Sequence, residues 1–249
     1  MEEINSTFIF LILLVILQSI VGVGVLVLGT PVMLILEYNM IEILSILLPI
    51  SILTSLVNLI YFKIKKKKMK IKIDSEIKKY LIFICAPCIV IGLLILKQFE
   101  NHLNLNLVVS FVIMISLLFI YKFKNILLKW RQKSKIISLA LIGMVHGITN
   151  SGGTMLSIIV SALNKHQINQ SRYNITFSYL FLALFQYIIF ISIFEQKIFI
   201  YDFIDLLIMI FSGFIIGNII IKLVNEKIFK ILINILALTS AIFLIIKSQ

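Results

Sequence analysis

The stretch Gly147-Ile148-Thr149-Asn150-Ser151-Gly152-Gly153 interrupts an apolar run extending from about residue 136 to 163, and Val21-Gly22-Val23-Gly24 interrupts another, from 7 to 37. A glycine inside a helix costs about 1 kcal/mol against alanine and loosens the backbone. Both runs are also too long for a plain membrane crossing. As continuous helices they would measure about 42 and 47 Å at ~1.5 Å per residue, against a hydrocarbon core of about 30 Å. Fitting them would need tilts of roughly 45–50°, beyond the usual range of about 0–40°. Folding each run back on itself at its glycines removes the misfit, so the spacing predicts two hairpins of half-helices. Irregular backbone at membrane depth persists only where it is buried in protein or lines a cavity. A pair of such breaks, one per half of a chain, points to the substrate site of a secondary transporter.

The rest of the chain supplies the frame. Of its 249 residues 61% are hydrophobic, against about 45–50% in soluble domains, which makes it an integral membrane protein. Further apolar stretches at about 43–62, 80–96, 105–121, 173–194, 203–221 and 228–246 have 17 to 22 residues each, one helical crossing apiece. The predicted fold is an all-α, polytopic helical bundle of two repeats. Residues 1–121 form the first transmembrane repeat and 136–249 the second, each a broken, re-entrant hairpin plus three transmembrane helices. A basic cytoplasmic linker, 122–135, joins them. Three crossings is an odd number, so the second repeat is inverted relative to the first.

Charge placement favours hairpins over straight crossings. The net charge of +12 comes largely from two runs, nine lysines from Lys63 to Lys79 and six basic residues from Lys122 to Lys135. With two hairpins and both runs inside, 20 basic residues face the cytoplasm and 3 face out; eight straight crossings give 17 and 6. The positive-inside rule prefers the first arrangement. It puts both termini outside and 164–172 inside. Basic runs between apolar spans meet anionic lipid head groups rather than nucleic acid. The expected location is the cell membrane, and abundant isoleucine and lysine point to a low-GC bacterial source.

Other function classes find little support. Met1-Glu2-Glu3-Ile4-Asn5-Ser6 lacks the positive region and cleavage site of a signal peptide, so no cleavage is expected. Cys85 and Cys88 sit in an apolar run without further ligands and read as small buried hydrophobes, with no metal or cofactor implied. Ser151 and His146 lie five residues apart, pointing different ways along a helix, with no acidic orienter; they do not make a hydrolase. Glu37, Glu42, Asp202 and Asp205 all fall near span ends, whereas a cation carrier would place an acid deeper. Membrane potential or a proton gradient is left as the motive force. Nothing in the sequence specifies an oligomeric state.

Two segments carry a family resemblance. Gly24-Val25-Leu26-Val27-Leu28-Gly29-Thr30-Pro31 and Gly147 through Gly153-Thr154-Met155-Leu156 resemble the glycine-rich breaks that open each half of the TauE/SafE family of sulfite and organosulfonate exporters. The first copy has valines in place of consecutive glycines and the second lacks the proline. Length, basic mid-chain loop and two-half organisation fit as well. The resemblance implies a secondary transporter, an exporter or importer of a small sulfur-containing anion, with no nucleotide-driven motor.

The chemistry of the breaks points the same way. A half-helix that starts at a break leaves its first N–H groups unpaired and carries positive partial charge there, a ready anion site. The arms starting near Val25 and Thr154 bring two such ends toward the midplane. The candidate substrate-binding residues are Gly24, Thr30, His146, Asn150, Ser151, Gly152, Gly153 and Thr154, with Asn58 and Gln186 on the spans that follow. His146 either serves the anion or a coupled proton, or bonds a neighbouring helix carbonyl. Asn150, Ser151, Thr154 and Thr30 contact substrate or satisfy freed backbone groups. Ser51, Thr54, Ser55 and Asn58 recur on one helical face, as Thr176, Ser178 and Gln186 do more sparsely; such stripes line a path or pack helices. Arg172, beside Lys165 and His166, draws anions to an inner vestibule or marks topology. Phe177, Tyr179, Phe181 and Phe185 read as facing lipid or packed neighbours. An anion channel built from the same dipoles and a non-transporting assembly factor are the alternatives.

Overall fold

In the computed structural model, residues 2–65, 73, 75–99, 132–163, 168–194 and 203–225 are described, with scattered positions between 104 and 114 and between 228 and 246. The expected crossings at 105–121 and 228–246 fall largely outside these residues, as do most of the linker and both Lys165 and His166. The described residues form helices and no strands. In chain order these are α1 (Glu2–Val21), α2 (Val25–Ile35), α3 (Met40–Lys65), α4 (Ser75–Phe99), α5 (Gln132–Thr149), α6 (Gly152–Leu163), α7 (Ile168–Phe194) and α8 (Phe203–Ile220). Four of them, α3, α4, α7 and α8 with a short 3₁₀ extension to Leu223, are long and apolar enough to cross a membrane. Bare side chains such as Phe83, Ile188 and Ile215 stud their outer faces, as acyl chains require.

The glycine-marked runs are broken where the sequence places the breaks, and both are broken in one way. Gly22 (φ 95°) and Asn150 (φ 59°) adopt the left-handed conformation, which glycine and asparagine reach at least cost and which ends helices. Their amides donate to the Gln18 carbonyl (2.8 Å) and the His146 carbonyl (2.9 Å). The chain then turns back on itself. A Cβ at Gly24 would lie 2.8 Å from the Gln18 nitrogen, and one at Gly152 would lie 2.6 Å from the His146 Cβ. Five residues after Gly24, Gly29 packs on Leu14 of α1. Short helices folded against their predecessors replace single over-long rods.

Packing pairs the helices in a pattern that survives exchange of the two halves. The half-helices α2 and α6 lie on the spans that follow them, α3 and α7, which also pack on each other. The first half-helix of each hairpin packs along a span of the other half: α1 on α8, and α5 on α4. These contacts are close because small residues line them. A Cβ at Gly147 would come within 2.5 Å of the Ile89 carbonyl, and one at Gly217 within 2.6 Å of the Ser19 Cβ. In α4 the stretch Leu81–Cys85 is a π turn. Pro87 follows it, and a proline ring collides with the carbonyl four residues earlier in a regular helix.

Candidate functional site

The two breaks meet. Asn150 Nδ2 donates to Thr30 Oγ1 (3.0 Å), joining the second break to α2 across 120 positions of sequence. Gly153 packs directly on the Tyr179 ring. The Tyr179 hydroxyl accepts the Leu26 N–H (2.9 Å) from the start of α2. One tyrosine of α7 therefore touches both half-helix N-termini. Gly24, Thr30, His146, Asn150, Ser151, Gly152, Gly153, Asn58 and Gln186 are all buried. Thr154 lies in the first turn of α6, which begins two residues earlier than expected.

The two N-termini differ in what they offer. At α2 the Val25 N–H donates to Gln18 Oε1 (3.2 Å) and the Leu26 N–H to Tyr179, so both amides have side-chain partners. At α6 no side-chain partner is found for the Gly152 and Gly153 amides among the described residues, and the helix itself supplies none to its first turn. His146 occupies at the second break the place Gln18 has at the first. Both carbonyls accept the amide of the left-handed residue, and both lie under the glycine that follows. Yet the His146 imidazole is fully buried and neither ring nitrogen has a partner; Asn150 Oδ1 and Gln186 Oε1 are likewise buried and unpartnered. Gln186 Nε2 donates to the His146 carbonyl (3.1 Å), which ties α7 to the second break. Buried polar atoms normally find partners, so this concentration beside the α6 N-terminus stands out.

Of the stripe on α3, Ser51, Ser55 and Asn58 are committed elsewhere, while Thr54 Oγ1 is buried without a partner. Gln18 Nε2 donates to the Ser51 carbonyl (2.8 Å) and to Ser55 Oγ (2.9 Å), and Asn58 Nδ2 donates to Ser19 Oγ (3.1 Å). Asn58 thus belongs to the first break's scaffold, with no contact to the Thr30–Asn150 junction. Ser151 Oγ donates to the Thr149 carbonyl (3.0 Å), satisfying local backbone. Sequence reasoning passed over Gln18, Ser19 and Asn218, and it read Tyr179 as lipid-facing or packing. A signal existed for two of them. Gln18 is the one amide side chain in residues 7–37, and Tyr179 stands seven positions after Arg172, on the same helical face.

A helical membrane protein whose paired breaks bury unpartnered donors and acceptors has the architecture of a transporter. The model of the sulfite exporter TauE/SafE family matches residues 7–244, nearly the whole chain. The chain belongs to this family of membrane transporters. No curated protein and no solved structure gives a significant match.

Proposed function

We propose that this protein is a secondary carrier for a small sulfur-containing or organic anion such as sulfite or a sulfonate, and that the anion seats at the N-terminus of α6. One observation carries the reading: α6 begins at Gly152, packed over His146 whose buried imidazole is unpartnered, and the breaks join there through Asn150 and Thr30. Backbone amides and an imidazole N–H supply donors without a fixed lysine or arginine, so the guest is held and can also leave. The anion sits nearer the second break than the first, because Gln18 and Tyr179 already occupy the α2 amides.

The architecture that serves this site is a pair of inverted repeats, about 1–121 and 136–249. Its support is the exchange pattern of the packing, in which α1 to α4 and α5 to α8 find equivalent partners in the opposite half. Rocking of one hairpin and its supports against the other would expose the junction to each side in turn. The test is flux in liposomes with sulfite, thiosulfate, sulfonates and simple carboxylates. Saturable, gradient-coupled flux of one of these is expected, together with its loss in Gly153→Leu, whose side chain would be driven into the Tyr179 ring. Ohmic flux would indicate a channel, and no flux an assembly role. Normal transport by Gly153→Leu would remove the site.

A further inference from the structure

Arg172 stands in the first turns of α7 and is only 3% exposed. Its Nη2 donates to the Ser19 carbonyl and to Asn218 Oδ1 (3.4 Å), and the guanidinium lies over the Phe62 ring, 4.9 Å from its centroid. Its Nε is buried with no partner. Asn218 Nδ2 donates in turn to Asn58 Oδ1 (3.3 Å), and Asn58 to Ser19. Four helices, α1, α3, α7 and α8, thus close on one cation, and each group they bring to it is neutral. Among the described residues Arg172 has no carboxylate partner.

A guanidinium stays protonated at any working pH. Carbonyl and amide oxygens satisfy its N–H groups but do not cancel its charge, and a buried charge without a counter-charge costs several kcal/mol. An arginine that only marks the cytoplasmic side extends its head group into water; this one is folded inward against the first break, where a Cβ at Gly22 would lie 3.3 Å from the Arg172 carbonyl. Ionisable groups placed this way in membrane spans mark ion paths. We infer that the missing counter-charge is a small oxyanion, and that Arg172 holds it through its free Nε–H in a second anion site at the first break. The free Nε–H is left to make a charge-assisted hydrogen bond to one oxygen of a sulfur or phosphorus oxyanion. This site is separate from the α6 N-terminus. Fourteen positions of α7 separate Arg172 from Gln186, about 21 Å at ~1.5 Å per residue. Thr176 and Tyr179 lie between them on the same buried face, a polar ladder from one site to the other.

Binding here does not require that the protein transport anything, so the test is thermal unfolding of the purified full-length chain in neutral detergent, in sodium sulfite against sodium chloride of equal ionic strength. The midpoint is expected to rise with sulfite in the parent and in Gly153→Leu, whose α6 site is blocked, and to stay unmoved when Arg172→Gln is added to Gly153→Leu. Asn218→Asp carries the test even if Arg172→Gln does not fold. Its isosteric carboxylate supplies an internal counter-charge, so its midpoint in chloride should exceed the parent's, and added to Gly153→Leu it should abolish the sulfite response. An intact sulfite response in Gly153→Leu with Asn218→Asp, none in the parent, or loss of the response in Gly153→Leu alone would each overturn a separate site. So would a rise with phosphatidylglycerol and none with sulfite, which would make a lipid phosphate the partner.

Discussion

Gln18 and His146 hold equivalent places and do opposite things. Gln18 reaches forward and caps α2 through Val25; His146, under Gly152, caps nothing. Replacing His146 by glutamine should therefore close the second break as the first is closed. A side-chain cap at a helix N-terminus is worth about 1 kcal/mol. His146→Gln is expected to raise the thermal midpoint by a few degrees and to cut anion flux more than tenfold. Unaltered flux would mean that the anion does not use the α6 amides. Tyr179→Phe keeps the ring against Gly153 but strands the Leu26 amide. The loss of a buried partner costs about 1–3 kcal/mol, so a lower midpoint with retained flux is expected, whereas unchanged stability would show that water replaces the hydroxyl.

Among the elements, one acid at a span end, Glu42, proves to be a cap. Asn39 Oδ1 accepts the Glu42 N–H (2.9 Å) and Glu42 Oε2 accepts the Asn39 N–H (3.0 Å), a reciprocal box that starts α3. Glu42→Ala should cost about 1 kcal/mol of stability and leave the coupling of flux to pH or potential unchanged; a changed coupling would return an acid to the mechanism. The α4–α5 contact is set by glycine on both sides, Gly92 against the Met144 carbonyl and Gly147 against Ile89. Gly147→Leu has no room to relax, and overpacking costs about 1–3 kcal/mol or more. A marked fall in the thermal midpoint is expected. These helix ends and close approaches were partly legible in advance, since glycine, asparagine and proline punctuate a chain for backbone reasons that act locally.

For the molecule as a whole, the proposed rocking of one hairpin against the other would open or close the Thr30–Asn150 junction. Thr30→Cys with Asn150→Cys, in a background lacking Cys85 and Cys88, should crosslink on oxidation and stop flux, and a reductant should restore it. Undiminished flux in the crosslinked protein would exclude opening at this junction. The proposed topology puts residue 165 in the cytoplasm, so Lys165→Cys should be labelled by a membrane-impermeant thiol reagent only from that side. Labelling from outside would rule out the hairpin arrangement.

By itself the sequence determined that this chain is helical and lives in a membrane, and where its two long runs must break. Those conclusions depend on apolar length against bilayer thickness and on the conformations open to glycine and asparagine, both properties of neighbouring residues. It also carried the family, through segments that surround the same breaks. Only the tertiary structure decided how the breaks are used: that Asn150 reaches Thr30, that Tyr179 bridges both half-helices, that Asn58 serves the first break's scaffold, and that Arg172 is buried with no acid against it among the described residues. A hydrogen bond across 120 or 153 positions depends on helix packing rather than local propensity, and whether a buried polar atom finds a partner depends on what the rest of the fold brings beside it.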